Sequence, residues 1–101
     1  MAVYVDDMFR YPLGQYRSMK MSHMIADTSD ELVTMAFLIG VAPKWIQYPD
    51  TYKEHFDVSM AMRRNAVKLG AIEIDLRQYP VMVNWRRDHG FMPPPDVLHL
   101  L

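Results

Sequence analysis

Residues 22–32 read Ser22-His23-Met24-Ile25-Ala26-Asp27-Thr28-Ser29-Asp30-Glu31-Leu32, and this stretch carries the clearest structural signal in the chain. Thr28 followed three residues later by Glu31 is typical of a capping box, in which the two side chains bond to the free N–H groups of a helix start. The apolar residues that follow keep the spacing of one helical face: Leu32, Met35, Ala36 and Ile39. We therefore predict a helix over 29–39 that ends at Gly40, with His23 and Asp27 just ahead of its first turn.

The composition is that of one soluble domain. The chain has 101 residues, of which 50% are hydrophobic, and its formal net charge is −1. A nearly balanced charge argues against an extended nucleic-acid surface, which normally shows a basic excess. Because the chain has no cysteine, disulfides, thiolate catalysis and cysteine-based zinc sites are excluded. No apolar run approaches the roughly 20 residues of a membrane span, so we expect a cytoplasmic protein without a membrane partner.

Strand and helix patterns alternate along the chain. Strands are predicted over 2–5, 44–48 and 71–76, and helices over 29–39, between a cap at Asp57 and a stop at Gly70, and over 81–87 after Pro80. This order predicts a single small α/β domain whose mainly parallel sheet has three strands, or slightly more, with helices packed on it. The residues expected in one core are Leu32, Met35, Ala36, Ile39, Ala66, Leu69, Ile72 and Ile74.

The two ends of this domain differ in character. We expect residues 1–92 to form the compact α/β domain and residues 93–101 to form a proline-rich spacer with an apolar tail. Free apolar ends are unfavourable in water, so the tail over 97–101 is expected to dock on its own domain or on a neighbouring subunit. The tail and the ten methionines favour a homo-oligomer. The long connection over 8–21 is either a functional flap or a surface loop pinned by its aromatic residues.

Polar residues follow each predicted strand and precede the first two helices. Ligands bind beyond the carboxyl ends of the strands in open α/β sheets, so these residues are expected to share one cleft. The candidate ligand-binding residues are Asp6, Asp7, Arg17, His23, Asp27, Tyr48, His55, Asp57, Arg63, Arg64 and Arg77.

Two chemistries fit this set. Asp6, Asp7, His23 and Asp27 could hold Mg²⁺ or Mn²⁺ and activate water against a phosphodiester. Alternatively, the helix N-termini and arginines could bind a phosphate, with the tyrosines offering flat faces to a base. Neither a His-Glu-x-x-His zinc motif nor a Gly-x-Ser-x-Gly or Walker motif is present.

Several blocks together resemble a known family: Met-Ala-Val-Tyr-Val-Asp-Asp at 1–7, Lys-Met-Ser-His-Met-Ile-Ala-Asp at 20–27, Asp-Glu-Leu at 30–32, His-Phe-Asp-Val at 55–58 and Gly-Ala at 70–71. The family comprises short bacterial and phage proteins and is catalogued as domain of unknown function 4031. The resemblance covers about the first three quarters of the chain. It implies a small stand-alone domain, in some cases a phage protein that binds something of the host. The positions that match the family pattern are Asp6, Asp7, His23, Asp27, His55 and Asp57.

Three functions follow as hypotheses. The first is a domain that binds a small anionic, nucleotide-like molecule without converting it, such as a phage anti-defence protein that sequesters a host signal. The second is a metal-dependent phosphoesterase or nuclease. The third is an inhibitor that contacts only another protein. The first is preferred at this level, because the cleft residues are mixed in sign, the loops carry aromatic residues and the chain is small for an enzyme.

Overall fold

The computed structural model describes residues 2–94, which contain five strands and three helices. The strands are β1 (Val3–Val5), β2 (Gln15–Tyr16), β3 (Met19–Ala26), β4 (Phe56–Ser59) and β5 (Ile72–Glu73). The helices are α1 (Ser29–Ile39), α2 (Met60–Lys68) and α3 (Gln78–His89). Single 3₁₀ turns span Met8–Arg10, Pro12–Gly14 and Pro43–Trp45. The tail predicted over 97–101 lies outside the described residues.

Helix α1 forms where the sequence predicts it. The Thr28 hydroxyl accepts a hydrogen bond from the Glu31 backbone N–H at 3.2 Å, and the same hydroxyl donates to the Glu31 carboxylate at 2.8 Å. At the other end, Gly40 has φ +88°, a left-handed conformation that residues with a side chain rarely adopt. The predicted bounds of this helix are confirmed.

The sheet is mixed, so the expected mainly parallel sheet is wrong. Strand β3 lies at its centre and pairs antiparallel with β1, β2 and β4, whereas β5 pairs parallel with β1. The connection from β1 to β3 contains 3₁₀ turns and a short hairpin rather than a helix, and antiparallel neighbours do not need a helical crossover. The α/β class and the single domain are confirmed.

The strand predicted over 44–48 is wrong. Residues 43–45 form a 3₁₀ turn, and only Gln47 makes a bridge, to His55. Pro43 takes the first position of the turn, where its fixed φ is favourable, and Trp45 remains 65% exposed. Three observed strands, β2, β3 and β4, were not predicted from sequence; β2 and the first residues of β3 lie in the connection expected over 8–21.

The predicted cap at Asp57 is also wrong, because Asp57 lies inside β4. The helix cap is Ser59, whose hydroxyl accepts a hydrogen bond from the Met62 N–H at 3.3 Å. Residues 56–59 alternate between buried and half-buried positions, as expected for a strand that is covered on one face. Asp57 therefore points to the same side of the sheet as its cross-strand partner His23.

Apolar side chains pack on both faces of the sheet instead of in one core. Helices α1 and α2 cover one face, where Leu32, Met35, Ala36, Ile39 and Ala66 are buried as predicted. Helix α3 covers the other face, where Met82 packs with Tyr4, Ile25 and Ile74. Ile72 is only partly buried there, and Leu69 is 54% exposed, so its predicted burial is wrong.

The helices within residues 2–94 are too short or too polar for any of them to cross a lipid bilayer.

Candidate functional site

The first part of the site is a bond between β3 and the residue that follows β1. Asp6 is fully buried, and its Oδ2 atom lies 2.6 Å from Nδ1 of His23. Its Oδ1 atom accepts hydrogen bonds from the backbone N–H groups of His23 and Met8, at 2.9 and 3.1 Å. The carboxylate therefore fixes the ring of His23 by accepting a hydrogen bond from Nδ1–H, which in the neutral tautomer leaves the lone pair on Nε2.

The second imidazole is held in the same way by a different acceptor. Nδ1 of His55 lies 2.8 Å from the Lys53 carbonyl oxygen, which can only accept a hydrogen bond. The Nδ1 atom of His55 must therefore carry a proton, and in the neutral tautomer the lone pair lies on Nε2. Nε2 lies 3.6 Å from Oδ1 of Asp57, a carboxylate on β4.

One oxygen of Asp57 is held and the other is not. Its Oδ2 atom accepts a hydrogen bond of 2.7 Å from the side-chain amide of Gln47. Its Oδ1 atom is buried and has no hydrogen-bond partner among residues 2–94. A buried carboxylate oxygen without a donor is unfavourable unless a cation or an ordered water satisfies it.

These three side chains bring their free atoms to one point. One ligand atom each from His23, His55 and Asp57 lies within 4.8 Å of the other two. Ligands about 2.0–2.1 Å from a tetrahedral ion lie roughly 3.3–3.4 Å apart, close to the 3.6 Å between His55 and Asp57. His55 and Asp57 are thus near the spacing of metal ligands, and the longer separations in the group, up to 4.8 Å, would have to shorten around one ion.

Each of the three potential ligands is oriented by an outer partner. His23 is oriented by Asp6, His55 by the Lys53 carbonyl and Asp57 by Gln47. Protein metal sites have this arrangement, in which a carboxylate or carbonyl on the second imidazole nitrogen fixes the tautomer and raises the basicity of the ligand.

Aromatic rings enclose the cluster. The ring of Tyr79, at the start of α3, stacks on His23 with a centroid distance of 4.0 Å and an interplanar angle of 9°. The ring of Tyr48 stacks on His55 at 6.2 Å. Burial raises the pKa of Tyr79, and the negative charges of Asp6 and Asp57 raise it further. Tyr79 therefore stays protonated at neutral pH, as a neutral hydroxyl next to two carboxylates.

The donor set differs from the one expected for Mg²⁺. Mg²⁺ prefers oxygen ligands, whereas two imidazoles and one carboxylate suit Zn²⁺, Fe²⁺ and other divalent transition metals. Three protein ligands leave positions for water or substrate, as in catalytic zinc sites.

Two of the four residues expected to bind metal have structural roles elsewhere. The Asp7 carboxylate accepts a hydrogen bond of 2.7 Å from the Leu76 N–H. The Asp27 carboxylate lies beyond the far end of β3 and accepts hydrogen bonds from the Ala2 N–H and the Tyr4 hydroxyl. Both acids fasten the ends of neighbouring segments, so neither belongs to the cluster.

Of the predicted arginines, only Arg63 is bonded next to the cluster. Its Nε atom donates to the Asp6 carbonyl oxygen at 2.8 Å, and its guanidinium forms an ion pair with Glu73. These bonds use Arg63 to fasten α2 to the sheet. The other predicted arginines, Arg17, Arg64 and Arg77, are exposed.

Two members of the site, Tyr79 and Gln47, are absent from the predicted ligand-binding residues. Tyr79 lies two residues after Arg77, which had been expected at the cleft, and its place ahead of Pro80 in a helix start was the available signal. Gln47 had been assigned to the end of a strand that does not form. Its bond to Asp57 depends on the bridge between Gln47 and His55, which no local pattern encodes.

Comparison with known proteins adds a family. Residues 3–86 match the model of a family described as proteins of unknown function, DUF4031. The chain belongs to the DUF4031 family. His23, His55, Asp57, Asp6 and Tyr79 all lie inside the matched range. No curated protein and no solved structure matches the chain.

Proposed function

We propose that this DUF4031 protein binds one divalent transition-metal ion, with Zn²⁺ as the expected metal, through His23, His55 and Asp57 and uses it to hydrolyse a small phosphoester. The observation that carries the proposal is the convergence of two oriented imidazoles on Asp57 Oδ1, a buried oxygen without a hydrogen-bond donor among residues 2–94. This choice replaces the binding-only function preferred from sequence.

The charge of the site supports a metal-dependent function over a metal-free anion site. Asp6 is fully buried and Asp57 is half-buried, so two carboxylates face the two imidazoles. Arg63 lies close by, but its guanidinium is already bonded to a carbonyl and to Glu73. An anionic ligand would be repelled by this set of charges unless a cation were bound between them.

The chemistry requires only groups that the site offers. A zinc ion held by His23, His55 and Asp57 would lower the pKa of a bound water towards neutrality and stabilise negative charge on a phosphoryl oxygen. The water oxygen would bond to phosphorus as the ester P–O bond breaks, the bonding electron pair would leave with the alcohol oxygen, and the proton lost by the water would reach that oxygen through solvent. Tyr79, which stays protonated, adds a neutral ring stacked on His23.

The test compares metal content and turnover in matched variants. We expect about one Zn²⁺ per chain by elemental analysis, loss of that metal in His55→Ala and Asp57→Asn, and retention in His89→Ala and Asp88→Asn, which are exposed residues on α3. Hydrolysis of p-nitrophenyl phosphate and bis(p-nitrophenyl) phosphate should follow the metal content. To identify the active metal, Zn²⁺, Mn²⁺ and Fe²⁺ are each added back to protein from which a chelator has removed the metal, and hydrolysis is measured again.

Three results would contradict the proposal. Absence of bound metal after loading would contradict the metal site. The same metal content in His55→Ala as in the wild type would also contradict it. Metal-loaded protein that returns a panel of cyclic and linear nucleotides intact after heating would favour the sequestration hypothesis. Neither binding nor conversion would favour an inhibitor that contacts only another protein.

A further inference from the structure

A cavity of about 710 Å³ adjoins the candidate metal site. It lies between the segment 8–21 and the connector 40–47, and Asp57 and Gln47 belong to its wall. This size falls within the usual range for small-molecule sites. Because Asp57 is also a potential metal ligand, the cavity and the metal site share one side chain.

The wall of this cavity is mainly apolar, with a few neutral polar groups and one carboxylate. Its larger side chains are those of Met8, Met19, Met21, Met62, Trp45 and Leu13. Among the described residues, Asp57 is the one charged side chain in the lining. The methionine side chains are flexible and polarizable, so they adapt to the shape of an apolar group.

We infer that this cavity holds an apolar alkyl or aryl group of the substrate while the phosphoryl group binds at the metal. The inference rests on the proposed function and names the substrate class of that same site: a phosphoester of a small hydrophobic alcohol. Because the wall has no cationic side chain, it offers no ion pair to additional phosphate groups. Because it has few hydrogen-bond donors, it offers few hydrogen bonds to the polar edge of a nucleobase. Transfer of an apolar group from water into this cavity lowers the free energy and so favours binding.

The segment 8–21 thereby acquires a function in binding. Gly14 lies in the cavity wall, and a Cβ atom there would lie 2.3 Å from the Met8 carbonyl oxygen. Tyr16 and Met19 form the end of the β2–β3 hairpin and remain about half exposed. The apolar group would cover part of these exposed surfaces.

The experiment uses alkylphosphonates, whose head group resembles a phosphoester but cannot be hydrolysed. Methyl-, butyl- and hexylphosphonate are titrated calorimetrically into zinc-loaded protein, and zinc content is measured on the same samples. Each buried methylene should strengthen binding two- to fourfold, so the five methylenes between methyl and hexyl should give at least about 30-fold. Adenosine 5′-phosphate serves as the ligand with a polar body.

Matched variants locate the effect in the cavity. Ala42→Trp places a large ring in the wall at an exposed position, and Ala61→Trp makes the same change on an exposed face of α2 outside it. In Ala42→Trp, affinity should no longer increase with the alkyl chain length, while the zinc content stays unchanged. In Ala61→Trp, both the increase in affinity and the zinc content should match the wild type. Met19→Asp, also exposed in the wall, gives a second test if the tryptophan variant does not fold.

The outcomes separate this inference from the proposed function. Equal affinity for the three phosphonates at full zinc content would overturn the apolar cavity and leave the metal site standing. Tighter binding of adenosine 5′-phosphate than of hexylphosphonate would overturn it in favour of a nucleotide-like substrate. Protein that takes up no zinc would overturn both proposals together.

Discussion

His23 donates from Nδ1 to the fully buried carboxylate of Asp6 across 2.6 Å, which ties the centre of β3 to the end of β1. The other oxygen of the same carboxylate accepts a hydrogen bond from the backbone N–H of His23. One acid therefore sets both the backbone position and the ring orientation of this imidazole. Its effect on any bound metal acts through His23, so Asp6 is a positioning residue.

Asp6→Asn is expected to weaken Zn²⁺ binding about 10- to 100-fold without abolishing it, as loss of an outer partner typically does. The single amide oxygen can still accept the hydrogen bond from Nδ1–H, but the amide NH2 group then faces the backbone N–H groups of His23 and Met8, and the negative charge is lost. Zinc titration against a competing chelator measures the change. Asp88→Asn, an exposed acid on α3, is the control and should leave the affinity unchanged. Wild-type affinity in Asp6→Asn would show that the bond is only structural.

Metal removal is expected to lower the melting temperature. A metal at 100 times its dissociation constant stabilises the folded state by about 2.7 kcal/mol, because it binds that state selectively. Differential scanning calorimetry with and without chelator measures this effect. His23→Ala should melt at the same temperature in both conditions, whereas His89→Ala should keep the wild-type difference. A chelator effect that persists in His23→Ala would place the stabilising metal elsewhere.

Leu32→Ala is expected to lower the free energy of unfolding by about 2–5 kcal/mol, since the side chain is fully buried between α1 and the sheet. Leu38, on the same helix, is 58% exposed, so Leu38→Ala should change stability by less than about 0.5 kcal/mol. Chemical denaturation of both variants gives the comparison. An equal loss of unfolding free energy in Leu32→Ala and Leu38→Ala would contradict the assignment of Leu32 to the buried face of α1.

Tyr4 is expected to make stability fall at high pH. Burial raises its pKa, and the charge and hydrogen bond of Asp27 raise it further. Because the folded pKa is above the ordinary value of 10.0, the stabilisation is complete below pH 10 and is lost as pH rises further.

Unfolding curves between pH 8 and 11 test this sign. Tyr4→Phe should cost about 1 kcal/mol at pH 8 through the lost hydrogen bond, and its stability should then fall less steeply above pH 10. Tyr11→Phe, at a position 46% exposed, should follow the wild-type curve. A wild-type slope in Tyr4→Phe would rule out Tyr4 as the group responsible.

The elements with local signals could be predicted from the amino-acid sequence. The capping pair Thr28 and Glu31, the apolar stripe of α1 and the stop at Gly40 lie within a few residues of one another, and the helix forms there with the predicted bounds. The same local logic found β1 and, to within a few residues, α3. It also selected Asp6, His23, His55 and Asp57 as candidates, because they flank predicted elements.

How those residues come together depends on long-range pairing in the folded chain. Residues 24–26 of β3 are buried against both faces of the sheet, so their unbroken apolar run lacks the alternation that identifies a strand. The pairing of His23 with Asp57 and the bridge from Gln47 to His55 join residues far apart in the chain. Such pairings stabilise the fold only after the chain has closed the intervening loops, which costs entropy. No short window of sequence therefore encodes them.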